Sequence, residues 1–201
     1  MSPWSMIWLN PRLVIRQVLL ENPHYSMKRL IIGGGIGQAF SYAVSFGLGQ
    51  VYSTAEVIAI VLLLGPISAF ISLALWAWLL SLICRWFGGK ASRQELRVAV
   101  AWSWAPIVYL LPMWGVRYIL FRDELFLPHH PFVEAHAILN GIYSFFNGID
   151  FLISFVSLFI LFQTIAEVNS FTVWRSLGSV AVMMLLLMLP VLFLVKYVLP
   201  I

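Results

Sequence analysis

Five apolar stretches, each long enough to cross a bilayer, fill most of the chain and leave only short charged segments between them. A helix rises about 1.5 Å per residue, so roughly 20 apolar residues match a hydrocarbon core about 30 Å thick. The stretches run from about Leu30 to Gly49, Val57 to Cys84, Val98 to Phe121, Ala137 to Ala166 and Leu177 to Leu199. With 62% hydrophobic and 10% charged residues and a mean hydropathy of +0.94, the chain has too little polar surface for a water-soluble domain. Backbone polar groups in lipid must be bonded within their own segment, and these runs lack the roughly ten-residue alternation of barrel strands. The expected fold class is therefore all-α, a polytopic transmembrane bundle of five helices over residues 28–201, preceded by a short amphipathic amino-terminal helix within residues 1–27.

Basic residues set the expected orientation. With the amino terminus in the cytoplasm, the inner segments hold Arg12, Arg16, Lys28, Arg29, Arg85, Lys90, Arg93, Arg97 and Arg175, whereas the outer ones hold only Arg117, Arg122 and Lys196. Such asymmetry favours a cytoplasmic amino terminus and an outer carboxyl terminus. The net charge of +4 and pI near 9.5 then describe an inner surface attracted to anionic lipid. No basic stripe interleaved with stacking aromatics points to nucleic acid. The residues before Arg12 carry no basic side chain, so no cleavable signal is expected and the first span anchors itself. Cys84 is the single cysteine, which excludes an intramolecular disulfide and a cysteine metal cluster; an inert buried thiol is favoured over lipidation.

In residues 1–27, Asn10 and Pro11 suit a helix start and Asn22 and Pro23 a stop. Between them Leu13, Val14, Val18 and Leu19 lie opposite Arg12 and Arg16, and Trp4 and Trp8 precede them. This pattern fits a helix lying among headgroups, or alternatively a cytoplasmic turn packed on the bundle. Ser53 with Glu56, and Ser92 with Glu95, each have the spacing of a capping box, which gives both acids a structural role. Pro66, Pro106 and Pro112 are expected to kink the second and third spans.

Two stripes stand out. Gly33, Gly37, Ser41, Ser45 and Gly49 repeat every fourth position, a small-residue face over which two helix backbones can approach. Neither Gly33-Gly34-Gly35-Ile36-Gly37 nor Gly88-Gly89-Lys90-Ala91-Ser92 has the spacing of a nucleotide loop, so no cofactor is expected. In the fourth span Asn140, Ser144, Asn147, Asp150, Ser154 and Ser157 make one face polar. Asp150 falls near mid-bilayer, where a charge costs at least about 2.5–3.5 kcal/mol, so it is expected to face the interior. Arg117 and Lys196 are assigned to the outer interface, leaving Gln38, Tyr42 and Tyr109 as the expected neutral partners and a carboxyl held neutral among them. A hydrogen-bonded seam between helices is favoured over a proton or solute pathway, because no second ionisable relay accompanies Asp150.

The outer loop carries His129, His130, Glu134 and His136, metal-capable side chains in no recognised ligand spacing, so coordination is not the favoured reading.

An Asn10-Pro11-Arg12 segment, the turn Phe87-Gly88-Gly89-Lys90-Ala91-Ser92, Ala105-Pro106 in the next helix, and Ile165-Ala166-Glu167-Val168 leading to Trp174 and Arg175 recur across nearly the whole chain. In these the chain resembles the prokaryotic branch of the Yip (Ypt/Rab-interacting protein) membrane family. The resemblance implies a five-span protein of a bacterial cytoplasmic membrane. Eukaryotic relatives are implicated in vesicle trafficking and GTPase binding through a longer cytosolic amino-terminal region, which residues 1–27 do not supply. With no nucleophile and base, paired carboxylates or cofactor loop, the expectation is a non-enzymatic protein that organises membrane or membrane-protein partners, a second copy included. The alternative is a small transporter or channel built on the stripe around Asp150.

Overall fold

The structure is a computed structural model that describes residues 2–197, and the side chains of residues 2–189. Among the described residues the chain is helical throughout, with no strand. Two small helices, α1 (Pro3–Met6) and α2 (Pro11–Glu21), precede α3 (Met27–Ser45) and the long α4 (Thr54–Trp86). A nearly continuous rod follows, built of α5 (Arg93–Ser103), α6 (Ala105–Tyr109) and α7 (Leu111–Phe121). After the short α8 (Pro131–Ala135) come α9 (Ala137–Val168) and α10 (Val173–Tyr197).

Among the described residues three helices are long and apolar enough to cross a membrane: α4, the rod over Arg93–Phe126, and α9. The first expected span is shorter than its apolar run. It ends at Ser45, because Gly47 turns left-handed (φ +59°) and the chain continues as a 3-10 turn over Leu48–Gln50. Helix α10 is apolar over Val173–Leu189, whereas the expected end of the last span at Leu199 and the outward carboxyl terminus lie outside the described residues, as does the Lys196 side chain.

Local sequence accounts for the helix boundaries. Both capping boxes form: Ser53 Oγ accepts from Glu56 N at 3.4 Å while the Glu56 carboxylate accepts from Ser53 N at 2.8 Å. Ser92 Oγ and Glu95 repeat the exchange at 3.2 and 2.6 Å. In the rod, Pro106 and Pro112 lack amide donors, and the chain tightens around them: Trp104 N donates to Ala101 O and Leu110 N to Ile107 O, both at 3.1 Å. Pro66 is absorbed inside α4 without ending it.

Helices α3 and α4 cross where two glycines meet. A Cβ on Gly35 would lie 2.5 Å from Gly65 O, and one on Gly65 would lie 2.9 Å from Gly35 O. The expected small-residue stripe takes part differently. Gly33 abuts Val108 and Leu111, Gly37 abuts Ile107, Ser41 and Ser45 are exposed, and Gly49 sits beyond the helix against Phe126. The stripe is thus a contact with α6 and α7 over its first half only, since the helix ends before the pattern does.

The amino-terminal element is packed on the bundle. Ile7, Val14, Ile15 and Val18 are buried in one core with Leu80, Leu96, Trp102 and Ile165. Trp4 and Trp8 rest on the rod, with ring centroids 5.5 Å from Trp102 for Trp4 and 5.6 Å from Tyr109 for Trp8. On α2, Arg12 Nε donates to Gln163 Oε1 at 2.7 Å and Arg16 pairs with Glu167 at 2.6 Å. Leu9, Leu13 and Leu20 remain exposed, a strip suited to the headgroup boundary. The Arg16 side chain is 68% exposed, so Arg16→Ala is expected to lower stability by no more than about 1 kcal/mol, read from thermal unfolding in detergent.

Candidate functional site

The expected partners of Asp150 are not the ones it has. Asp150 Oδ2 lies 2.7 Å from Arg117 Nη1, with the arginine side chain 4% and the aspartate side chain 32% exposed. Arg117 Nη2 also donates to Phe146 O at 2.7 Å, one turn before Asp150 on the same helix. The guanidinium rests against two rings, its Cζ 4.6 Å from the Trp114 centroid and 5.0 Å from that of Phe146. Its Nε has no partner among the described residues. A guanidinium is always charged, so this contact supplies the opposite charge that a carboxylate in a membrane helix needs.

The Arg117–Asp150 pairing has a geometric cause. Arg117 lies four residues before the end of α7 and Asp150 thirteen residues after the start of α9, so at about 1.5 Å per residue α9 overshoots α7 by roughly 13 Å at this end. Assigning depth from span ends therefore misplaced the pair. Tyr109 packs instead on Trp4 and Trp8, and Gln38 and Tyr42 face a separate cavity.

The polar stripe of α9 divides. Asp150 and Ser157 turn toward the bundle, whereas Asn140, Ser144 and Asn147 are exposed, and Ser154 stands at the rim of the cavity. The expectation of one inward polar face holds for part of the stripe only. Beside the exposed part, Gly141 and Gly148 have no atom within 4 Å of a Cβ position.

The cavity, about 350 Å³, lies between α3, α4, the rod and α9. Its polar lining comes from the middle of α3, α4 and α9, with Gln38, Ser68 and Ser72, and Ser154 and Ser157, and from Ser103 at the end of α5. Four hydroxyls donate to carbonyls of their own helices, Ser68 to Gly65 (2.8 Å), Ser72 to Ala69 (3.1 Å), Ser103 to Val100 (2.7 Å) and Ser154 to Asp150 (2.8 Å). Their lone pairs remain as acceptors, and Gln38 Nε2 and Ser157 Oγ are buried without a partner among the described residues. Such a lining suits water or a small neutral polar molecule.

Elsewhere the chemistry-bearing residues serve the fold. His130 Nδ1 lies 2.7 Å from Glu124 O and His136 Nδ1 2.7 Å from Phe132 O, while the Glu124 carboxylate accepts from Phe132 N and Val133 N at 2.9 and 3.1 Å. Among the described residues no three metal-capable side chains converge. Cys84 is buried at 1% exposure. The Phe87–Ser92 turn is held by Asn169, whose Oδ1 accepts from Ala91 N at 3.2 Å and whose Nδ2 donates to Ile165 O at 3.0 Å. Gly88 is there at φ +84°, and Gly89 leaves the space that Asn169 and Cys84 O approach.

Sequence reasoning missed Arg117 and Asn169 in these roles. The available signal for Arg117 was a lone arginine between Trp114 and Tyr118 in an apolar run, a setting in which the charge must find a partner. No protein-family model, no curated protein and no solved structure matches the chain.

Proposed function

We propose that this chain is a non-enzymatic multi-pass membrane protein of the Yip type, crossing a bacterial cytoplasmic membrane five times, that organises membrane or membrane-protein partners. The observation that carries the reading is the split of the α9 stripe. Asp150 is engaged in a charge-neutral clamp between α7 and α9, which favours the seam over a titratable pathway. Asn147, with Asn140 and Ser144 beside it on the helix, faces away from the bundle. A polar face exposed on a membrane helix is satisfied when another helix packs on it. The partner is a second copy or another membrane protein.

A photoactivatable residue at Asn147 is expected to give protein adducts in intact membranes. The same residue at Phe145, on the opposite face at similar depth, is expected to label lipid alone. Lipid labelling from both positions overturns the reading. The cavity with its unpartnered Gln38 and Ser157 favours the second reading, a small transporter or channel for a neutral polar solute.

A further inference from the structure

A second groove, about 640 Å³, opens between the starts of α3 and α5 and the inner half of α4. Its two ends differ in chemistry. Arg93, Arg97 and His24 line one end, and Ile31, Phe70, Leu73 and Ala74 form the wall that leads away from it. Phe70, Leu73 and Ala74 are spaced three and four apart, so they form one face of α4, running from its middle toward its Trp86 end. No carboxylate lines the groove among the described residues, because Glu95, the acid beside it in sequence, is turned into the Ser92 cap.

Neither arginine makes an ion pair or side-chain hydrogen bond among the described residues, and both are exposed. Their placement works against the local helix: Arg93 is the first residue of α5, where the positive end of the macrodipole disfavours a cation. Two unpaired cations at the mouth of an apolar channel, at the membrane end where the chain's basic residues gather, match one kind of occupant. We propose that this groove binds a single anionic phospholipid, its phosphate between Arg93 and Arg97 and one acyl chain along Phe70, Leu73 and Ala74. The volume lies within the range of small-molecule sites. This deepens the proposed function at its lipid partner, resting on that reading only for placement in a membrane; the contact face around Asn147 plays no part in it.

Native mass spectrometry of the full chain in neutral detergent, titrated with phosphatidylglycerol, tests the site. Phosphatidylglycerol is expected to bind well above phosphatidylcholine, and Arg93→Gln with Arg97→Gln to weaken it about 30-fold, whereas Arg85→Gln with Lys90→Gln, at the same end but outside the groove, leaves it unchanged. Ala74→Trp is expected to abolish binding. On the wild-type chain, phosphatidylglycerol with a photoactivatable acyl chain is expected to label the peptide containing Phe70 to Ala74, whatever that variant does to folding. Equal affinity for phosphatidylcholine, equal loss in the two double variants, binding of glycerol phosphate as tight as that of the lipid, or labelling confined to other helices overturns the proposal. None of these outcomes bears on adduct formation at Asn147, so the two readings fail separately.

Discussion

Arg117→Leu is expected to destabilise the bundle by about 3–5 kcal/mol, because it strands Asp150 as an uncompensated charge between membrane helices. The opposite truncation acts the same way. Asp150→Asn keeps the shape and a hydrogen-bonding group, yet it leaves the buried guanidinium without a counter-charge, so it is expected to be costly as well. Removing both charges is a different case. In Arg117→Leu with Asp150→Asn no ion is left unpaired, and most of the lost stability is expected to return. Thermal unfolding of the four proteins in one detergent reads the cycle. A neutral Asp150→Asn would mean that the carboxyl is uncharged, as the sequence alone suggested, and that the ion pair does not hold the two helices.

Gly35→Val is expected to cost about 3 kcal/mol, at the upper end for overpacking, because the new Cβ meets backbone. Its position would fall 2.5 Å from Gly65 O and 2.7 Å from Ala69 Cβ, and neither can give way unless α3 and α4 separate. Gly115 provides the control. It also lies within a helix, but a Cβ there meets nothing within 4 Å, so Gly115→Ala is expected to stabilise by about 0.8–1.0 kcal/mol through helix propensity. Equal effects of the two substitutions on unfolding temperature would show that the glycine crossing does not set the spacing of α3 and α4.

What was legible in the sequence was what a few neighbouring residues decide together. The Ser53–Glu56 and Ser92–Glu95 boxes formed as their spacing required, because both partners lie within one helical turn. Helical character and the membrane class followed from the length of the apolar runs. Depth was less legible. It depends on where neighbouring helices begin relative to one another, and the unequal ends of α7 and α9 brought Arg117 to Asp150 from a position that had looked interfacial. Face assignment was legible in part. Gly33 and Gly37 do pack against another helix, α6, while the backbone crossing with α4 uses Gly35, one residue type with three possible neighbours and no periodicity to separate them. The Asn140 to Ser157 stripe obeyed its helical period, but period alone does not say which neighbour covers it.

The contacts that fasten the amino-terminal helix have a consequence for how the protein is made. Arg12 and Gln163 are 151 positions apart, as are Arg16 and Glu167, and Ala91 and Asn169 are 78 apart. Helix α2 is made before α9, so its docking surface there exists only once Gln163 and Glu167 have been translated. Until then Val14, Ile15 and Val18 have only the part of their core that α4 and α5 supply, through Leu80, Leu96 and Trp102. Helix α2, made ahead of α3, α4 and α9, is thus fastened at its two arginines only when Gln163 and Glu167 of α9 arrive.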